Sequence, residues 1–434
     1  MLVEFRVGNY RSFHEPQTLS LVASSDRTHA GNLIPCGKEN LLKAAAVYGA
    51  NASGKSNLIQ AMGSMGALVR DSATKTNVGD KIDVVPFRLD RVCKDQPSLF
   101  EVTLHLDNVR FRYGFKVSRE RVHEEWLVAY PKSRAQRWYE RRFDPGTDQT
   151  YWTFRNVVKR YGSLLKERTR ENGLALSRGA ELNIMEMIHL YRWFTSAMRV
   201  FDLSESPLDN ALDETAQHFL DDEDFRRRVT QLIRDADLGI KRISVGYLPT
   251  PTIVVGGKTI SPSPRTTPEN NDVRQTTGTF CISSVRSSGN TDEDEIFGFD
   301  DAESKGTQRL FGLAKPWLDA LENGSIIVVD ELDCSMHPVL VRRLIELFQS
   351  ATTNRNGAQL VFATHDSTLM DQSLFRRDQI WIVEKDARQA SQLFSLYDFD
   401  EKPRKGEALE KRYLAGRYGG VPTFGPTFED LELR

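Results

Sequence analysis

The octet Gly49-Ala50-Asn51-Ala52-Ser53-Gly54-Lys55-Ser56 fits the spacing GxxxxGK[ST] without a mismatch. That spacing is a phosphate cradle: glycines at its ends let backbone N–H groups curl around an anion, and the following helix points its N-terminus at the same charge. Gly49, Asn51, Ala52, Ser53 and Gly54 are expected to form the wall. Lys55 would reach the β and γ phosphates of a nucleotide, and the Ser56 hydroxyl would ligate Mg²⁺. Such a site also needs a carboxylate for the metal and a base for water. Ser325-Ile326-Ile327-Val328-Val329-Asp330-Glu331 supplies both, at the end of an apolar run. Asp330 is expected in the metal shell and Glu331 as acceptor of the proton from attacking water. A second apolar run, Gln359 to Ala363, leads through Thr364 to His365, placed to hydrogen-bond the γ phosphate or that water.

Glu303-Ser304-Lys305-Gly306-Thr307-Gln308 stands before a helical pattern with apolar residues at Leu310, Phe311, Ala314, Leu318 and Leu321. Small residues opening a helix form an anion-binding end. No phosphate of the same subunit suggests itself as ligand, so Ser304 and Gly306 are expected to meet nucleotide held by a second subunit. Simple N-capping by Ser304 is the structural alternative. Pro316 should kink this helix. Asp333-Cys334-Ser335-Met336-His337 reads as a polar loop entering a helix at Pro338.

These residues need a sheet and flanking helices to hold them. Leu2 to Val7 alternates as a strand, Thr18 to Val22 could pair with it, and Lys43 to Tyr48 reads as a buried central strand. Asn57 to Val69 has helical period. Consecutive strands are expected over Ile82–Leu89, Leu99–Leu106, Arg110–Val117, Arg121–Tyr130, Gln136–Phe143 and Tyr151–Phe154, with a hairpin turn at Asp107-Asn108. Helices follow, clearest at Asn183–Phe194 and Asp224–Ile233. Residues 239–290 return to strands separated by loops such as SPSPRTTPENN, and strand and helix alternate again from about 305 to 385. The expected division is 1–155 and 301–400 as two halves of one nucleotide-binding head, 156–300 as an insert and 401–434 as a tail.

Composition narrows the remaining possibilities. The 434 residues are 39% hydrophobic and 27% charged, an ordinary globular balance with room for more than one domain. Lys and Arg (58) against Asp and Glu (60) leave a net charge of -2, which excludes coating nucleic acid by bulk charge. Charges within the first six residues, no apolar stretch of membrane-spanning length, and four scattered cysteines without CxxC point to a cytoplasmic protein without a structural zinc site. One local excess stands out: Arg110 to Arg170 holds 16 Lys/Arg against 7 Asp/Glu, interleaved with Trp126, Tyr130, Trp138, Tyr139, Tyr151 and Trp152. Basic and aromatic residues together could contact DNA or RNA. A solvated antiparallel sheet with its aromatics turned inward has the same composition.

The order of phosphate loop, long interruption, Ser-x-Gly segment, Asp-Glu strand, Asp-x-Ser-x-His-Pro loop and strand-tip histidine resembles the ABC-type ATPase heads of SMC, RecF and double-strand-break-repair proteins. It most closely resembles the bacterial AAA/ABC-like ATPases of abortive-infection and anti-phage systems, relatives of the overcoming-lysogenization-defect nucleases. FRVGNYRSF (5–13), PFRLD (86–90), ESKGTQRLF (303–311) and KRYLAGRYGGVP (411–422) carry that likeness. The resemblance implies an α/β P-loop NTPase, an ABC-ATPase-like head with an antiparallel β-rich lobe and an inserted helical region. It further implies ATP and Mg²⁺ as ligands and a homodimer or higher oligomer, with Lys55 and Ser56 of one head and Ser304 and Gly306 of the other enclosing each nucleotide. A separate effector, a nuclease or toxin, would be the partner, and a RecF-like role in DNA repair is the alternative. Two departures from that pattern are expected: no long heptad arm, and, with about 40 residues after the last strand candidate, no Toprim nuclease. Arg11 is a candidate nucleotide contact or a structural ion pair.

Overall fold

The computed structural model describes residues 1–203, 208–236, 239–249, 253–255, 258–260, 278–287, 294–399 and 408–422. The loop at 261–271 and most of the 401–434 tail lie outside the described residues.

Two compact units divide the chain. The first comprises residues 1–202, 320–332 and 342–434. Its centre is a six-stranded sheet in the order Met198–Asp202, Ile326–Asp330, Gln359–Ala363, Ala44–Tyr48, Ile380–Lys385, Ser391–Ser395. The first five strands run parallel and the last is antiparallel. Ala44–Tyr48, Ile326–Asp330 and Gln359–Ala363 are buried at every position. Burial on both faces is why these strands read as continuous apolar runs rather than alternating ones.

The same unit holds a seven-stranded antiparallel sheet in the order Gln149–Phe154, Gln136–Asp144, Val122–Tyr130, Val109–Val117, Ser98–Leu106, Leu2–Gly8, Gln17–Ser20. Its tightest hairpin turns at Asp107 and Asn108, both with positive φ (49° and 61°), the backbone that matches a right-handed strand twist in a two-residue loop. The Lys55–Asp71 helix buries Leu58, Ile59, Met62, Met65 and Val69 in one core with Phe5, Val7, Phe100 and Tyr113 of this sheet and Val47, Val328 and Val361 of the parallel one.

Ile82–Leu89 is not a strand. Ile82, Val84 and Phe87 are buried, and backbone groups of the segment instead meet the turn at residues 9–11: Arg11 N donates to Val85 O (2.8 Å) and Phe87 N to Asn9 Oδ1 (3.1 Å). Alternate burial here comes from lying on the core, not from a ladder.

The second unit comprises residues 203–319 and 333–341. It contains the helices Leu208–Asp221 and Glu223–Asp235 and a three-stranded antiparallel sheet of Arg242–Pro249, Gly278–Ser287 and Asp294–Gly298. Asp222 caps its helix by accepting from Asp224 N and Phe225 N, and Phe225, Val229 and Ile233 recur every fourth residue on the buried face. The division departs from the sequence-drawn boundaries: residues 156–202 cluster with the first unit, ending in the edge strand Met198–Asp202, and 333–341 cluster with the second. The helix at Lys305–Asn323 is continuous across Pro316.

Candidate functional site

The strand Ala44–Tyr48 ends at Gly49, and the helix beginning at Lys55 follows the loop. Gly54 sits at φ 118°, where a side chain is strained. A Cβ there would also press on Ser391 Oγ and lie 2.7 Å from Ser12 Oγ. Those two serines brace the loop. Ser391 Oγ donates to the Ser53 carbonyl (2.5 Å), Asn57 Nδ2 donates to Ser12 Oγ (2.7 Å), and the two hydroxyls lie 2.7 Å apart. Lys55 is 5% exposed, and its ammonium donates to the carbonyls of Gly49 (2.8 Å) and Ala50 (3.1 Å). Ser53 is buried, while Asn51 and Ala52 form the exposed tip of the loop.

The parallel register sets the acidic residues beside this loop's strand. Ala363 pairs with Val47, Val329 with Phe362, and Asp202 with Asp330. Gly49, Asp330, Glu331, Asp202 and His365 therefore all fall at the carboxyl edge of one sheet, where open α/β sheets bind ligands. Asp330 is 2% exposed. Burial pushes its carboxyl above the ordinary range; a hydrogen bond from Ser56 opposes this, the charges of Asp202 and Glu331 reinforce it, and Lys55 opposes it. Its Oδ1 is buried with no hydrogen-bond partner among the described residues. An unmet carboxylate oxygen beside a serine hydroxyl fits a hard divalent cation, so Ser56 and Asp330 are the pair that would hold Mg²⁺. When bound, the ion would neutralise phosphate charge there. Glu331 stands next in the chain with φ 53°, a left-handed backbone at the tip. His365 is exposed, two residues past the strand end, and Thr364 N fixes that exit by donating to Val47 O (3.2 Å).

In the second unit Ser304 is an N-cap: its Oγ accepts from Thr307 N (3.2 Å) and lies 3.0 Å from Thr307 Oγ1. Gly306 lies inside the first turn rather than before it, with so little room that a Cβ would collide with the Ser335 carbonyl. Glu303 is buried and binds Arg286 through both carboxylate oxygens (2.9 Å each). This pair fixes the entry to the helix.

Sequence reasoning missed Asp202, Ser12, Ser391 and Tyr413. Asp202 follows an unremarkable MRVF, and only its register with Asp330 distinguishes it. Tyr413 accepts from the Gly49 backbone and donates to Gly420 O (2.9 Å), which gives the KRYLAGRYGG segment a physical place against the phosphate loop. The Arg11 side chain donates from Nε to Tyr10 Oη (3.1 Å).

The basic, aromatic stretch is divided: most of its Lys and Arg side chains, and Tyr151, are exposed, while several of its aromatics turn inward. Tyr139 is buried, and Trp138 and Trp152 pack against the core. Arg141 is buried against Glu125 (2.9 Å), whose carboxylate also accepts from Tyr113 and Tyr139. Arg110 pairs with Glu39, Arg112 with Glu101 and Lys116 with Glu124.

A glycine-rich loop between a buried strand and a helix, in a parallel sheet whose neighbouring strand ends in Asp-Glu, defines a P-loop NTPase fold of the ABC-ATPase-head kind, here with an antiparallel β-rich lobe. The chain belongs to the family described as "AAA domain, putative AbiEii toxin, Type IV TA system", whose model matches residues 44–371. No curated protein sequence matches the chain. Similar solved structures include the SMC head domain from Thermotoga maritima (13% identity, TM-score 0.39, covering 91% of this chain and 98% of that one). Another is the recombination mediator protein RecF with ATP (12% identity, TM-score 0.35, 91% and 97%). Likeness at this level bears on neither activity nor partners. No helix among the described residues is long and apolar enough to cross a membrane.

Proposed function

We propose that the chain is an ATP-hydrolysing head that binds Mg²⁺-ATP, dimerises around it and regulates a separate nuclease or toxin in anti-phage defence. The observation that carries the catalytic reading is the buried, unmet Asp330 Oδ1 beside Ser56, at the same sheet edge as Lys55 and Glu331. In this reading Lys55 leaves the loop carbonyls for the β and γ phosphates, and backbone N–H groups of 49–56 hold the remaining phosphate oxygens. Glu331 accepts the proton of the attacking water, and His365 donates toward the γ phosphate. Ser304 and Gly306, at a helix start, face the nucleotide of the second head. The family's description, a putative toxin of a type IV toxin-antitoxin system, supports a toxin-antitoxin setting for the chain. A RecF-like role acting directly on DNA is the rival, and the exposed Lys and Arg of the 110–170 stretch are the surface it would use.

The test is phosphate release measured against protein concentration, alongside light scattering with and without Mg²⁺-ATP. The proposal expects turnover per chain to rise with concentration as ATP-linked dimers form. Turnover independent of concentration, with no association, would sink the two-headed site. Phage challenge of cells carrying the chain with and without any reading frame adjacent to its gene separates the two roles: protection that needs such a neighbour supports effector control, whereas repair of damaged DNA by the chain alone supports the rival.

A further inference from the structure

His14, Asp90 and Cys93 bring a ring nitrogen, a carboxylate oxygen and a sulfur within 4.8 Å of one another. They arrive on two segments, the turn after Leu2–Gly8 and the loop before Ser98–Leu106. Asn9 staples those segments together, its Nδ2 donating to the Cys93 and Gln96 carbonyls (2.8 Å each) while its Oδ1 accepts from Phe87 N. We propose, against the expectation drawn from the scattered cysteines, that this cluster is a zinc(II) site with His14 Nε2, Asp90 Oδ2 and Cys93 Sγ as protein ligands and water in the fourth position.

Orientation of the donors supports the assignment. Asp90 Oδ1 is occupied by the backbone N–H groups of Val92 (2.7 Å) and Cys93 (3.3 Å), which turns Oδ2 toward His14 Nε2 at 3.6 Å. Zinc bonds of about 2.0–2.3 Å set tetrahedral donors roughly 3.3–3.8 Å apart, so that pair already has the required span. The side chain of His14 is 10% exposed, its ring packs on Phe87 with centroids 5.0 Å apart, and its other nitrogen lies 3.4 Å from Glu15 Oε1. A carboxylate on the second ring nitrogen is the arrangement that orients metal-bound histidines. Mixed nitrogen, oxygen and sulfur donors suit zinc and exclude magnesium or calcium, which take oxygen. Binding takes the Cys93 proton to solvent, leaving a thiolate on the metal, and leaves His14 neutral with its Nδ1 proton directed at Glu15. The bound ion would fasten the turn that carries Ser12, and through Ser12 the floor of the phosphate loop.

The experiment loads the full chain with zinc in nucleotide-free, magnesium-free buffer, removes excess metal by gel filtration and measures metal by mass spectrometry. About one tightly held zinc per chain is expected, lost in Cys93→Ser and in His14→Ala and kept in Cys281→Ser. Glu15→Gln should weaken zinc affinity about 10- to 100-fold. Loading with cobalt(II) should give a thiolate-to-cobalt charge-transfer band that disappears in Cys93→Ser. Metal-free variants should melt where the metal-free parent does, so that metal loss cannot be ascribed to unfolding. A parent that retains no zinc, or a cobalt band that survives Cys93→Ser, overturns the proposal, and neither result touches the nucleotide site.

Discussion

Asp202 and Asp330 are register partners at the ends of adjacent parallel strands, so two carboxylates stand side by side at the edge that carries the phosphate loop. Like charges held close raise one another's pKa, and the Asp202 charge adds to the effect of burial on Asp330.

Asp202→Asn removes that neighbouring charge and lets Asp330 ionise more readily. Mg²⁺-dependent ATP binding should then survive to lower pH than in the parent. Titrating binding with fluorescent nucleotide across the acid range would check this; an acid limb that stays put or moves to higher pH would remove Asp202 from the metal's surroundings.

Asp330→Asn should abolish the Mg²⁺ dependence of nucleotide binding yet stabilise the free protein. The folded-state pKa lies above the ordinary value of 3.8, so the folded chain holds this proton more tightly than the unfolded one. The stability linked to that proton is complete below 3.8 and lost as pH rises through the raised value. At neutral pH the buried, unmet charge costs about 1–3 kcal/mol, which the amide avoids. Melting without nucleotide should therefore favour the variant at neutral pH and converge with the parent in acid.

Replacing Glu331 by Gln keeps size and hydrogen bonding but cannot accept a proton from water, so turnover should fall at least 100-fold while ATP accumulates on the protein. Glu331→Gly should be equally inactive but no less stable than Glu331→Gln, because glycine relieves a φ of 53° worth roughly 1 kcal/mol. Near-normal turnover in either variant would remove Glu331 from the role of base.

Lys55→Ala deletes the ammonium now bonded to the Gly49 and Ala50 carbonyls. Triphosphate affinity should drop at least tenfold by calorimetry, with ADP less affected because the γ phosphate is absent. Equal affinity in parent and variant would refute the phosphate-loop assignment.

Ser304→Arg should leave ATP binding by an isolated head intact while preventing ATP-linked dimers. Gly306 is the poorer site for this test, since any side chain collides with the Ser335 carbonyl within its own unit. A mixture of Ser304→Arg and Lys55→Ala chains should regain turnover, because both defects fall in one composite site and the other is whole. Absence of any recovery on mixing would count against sites shared between chains.

The sequence was most legible where one short segment carries both geometry and chemistry. Gly49–Ser56 and Ile326–Glu331 announce themselves by glycine spacing and by an apolar run that stops at acids. Asp202 could not be found this way: it lies 128 residues before its register partner Asp330, and a single aspartate after MRVF is unexceptional. The Ile82–Leu89 segment misled for a related reason, since burying alternate residues on a core reproduces the period of a strand without its hydrogen bonds. Ser12 and Ser391 are small, common residues whose role depends on a contact across the fold.

The place of Ala44–Tyr48 between Gln359–Ala363 and Ile380–Lys385 also sets the order of events during synthesis. At roughly 5–20 residues per second, the strand that leads into the phosphate loop must wait on the order of 15–60 s for its first neighbour in the sheet to be made. Until then it is an apolar segment without a partner strand in that sheet. A chain cut short by interrupted translation thus carries the phosphate-loop sequence without the sheet that shapes it, and completion of the polypeptide becomes a condition for assembling the nucleotide site.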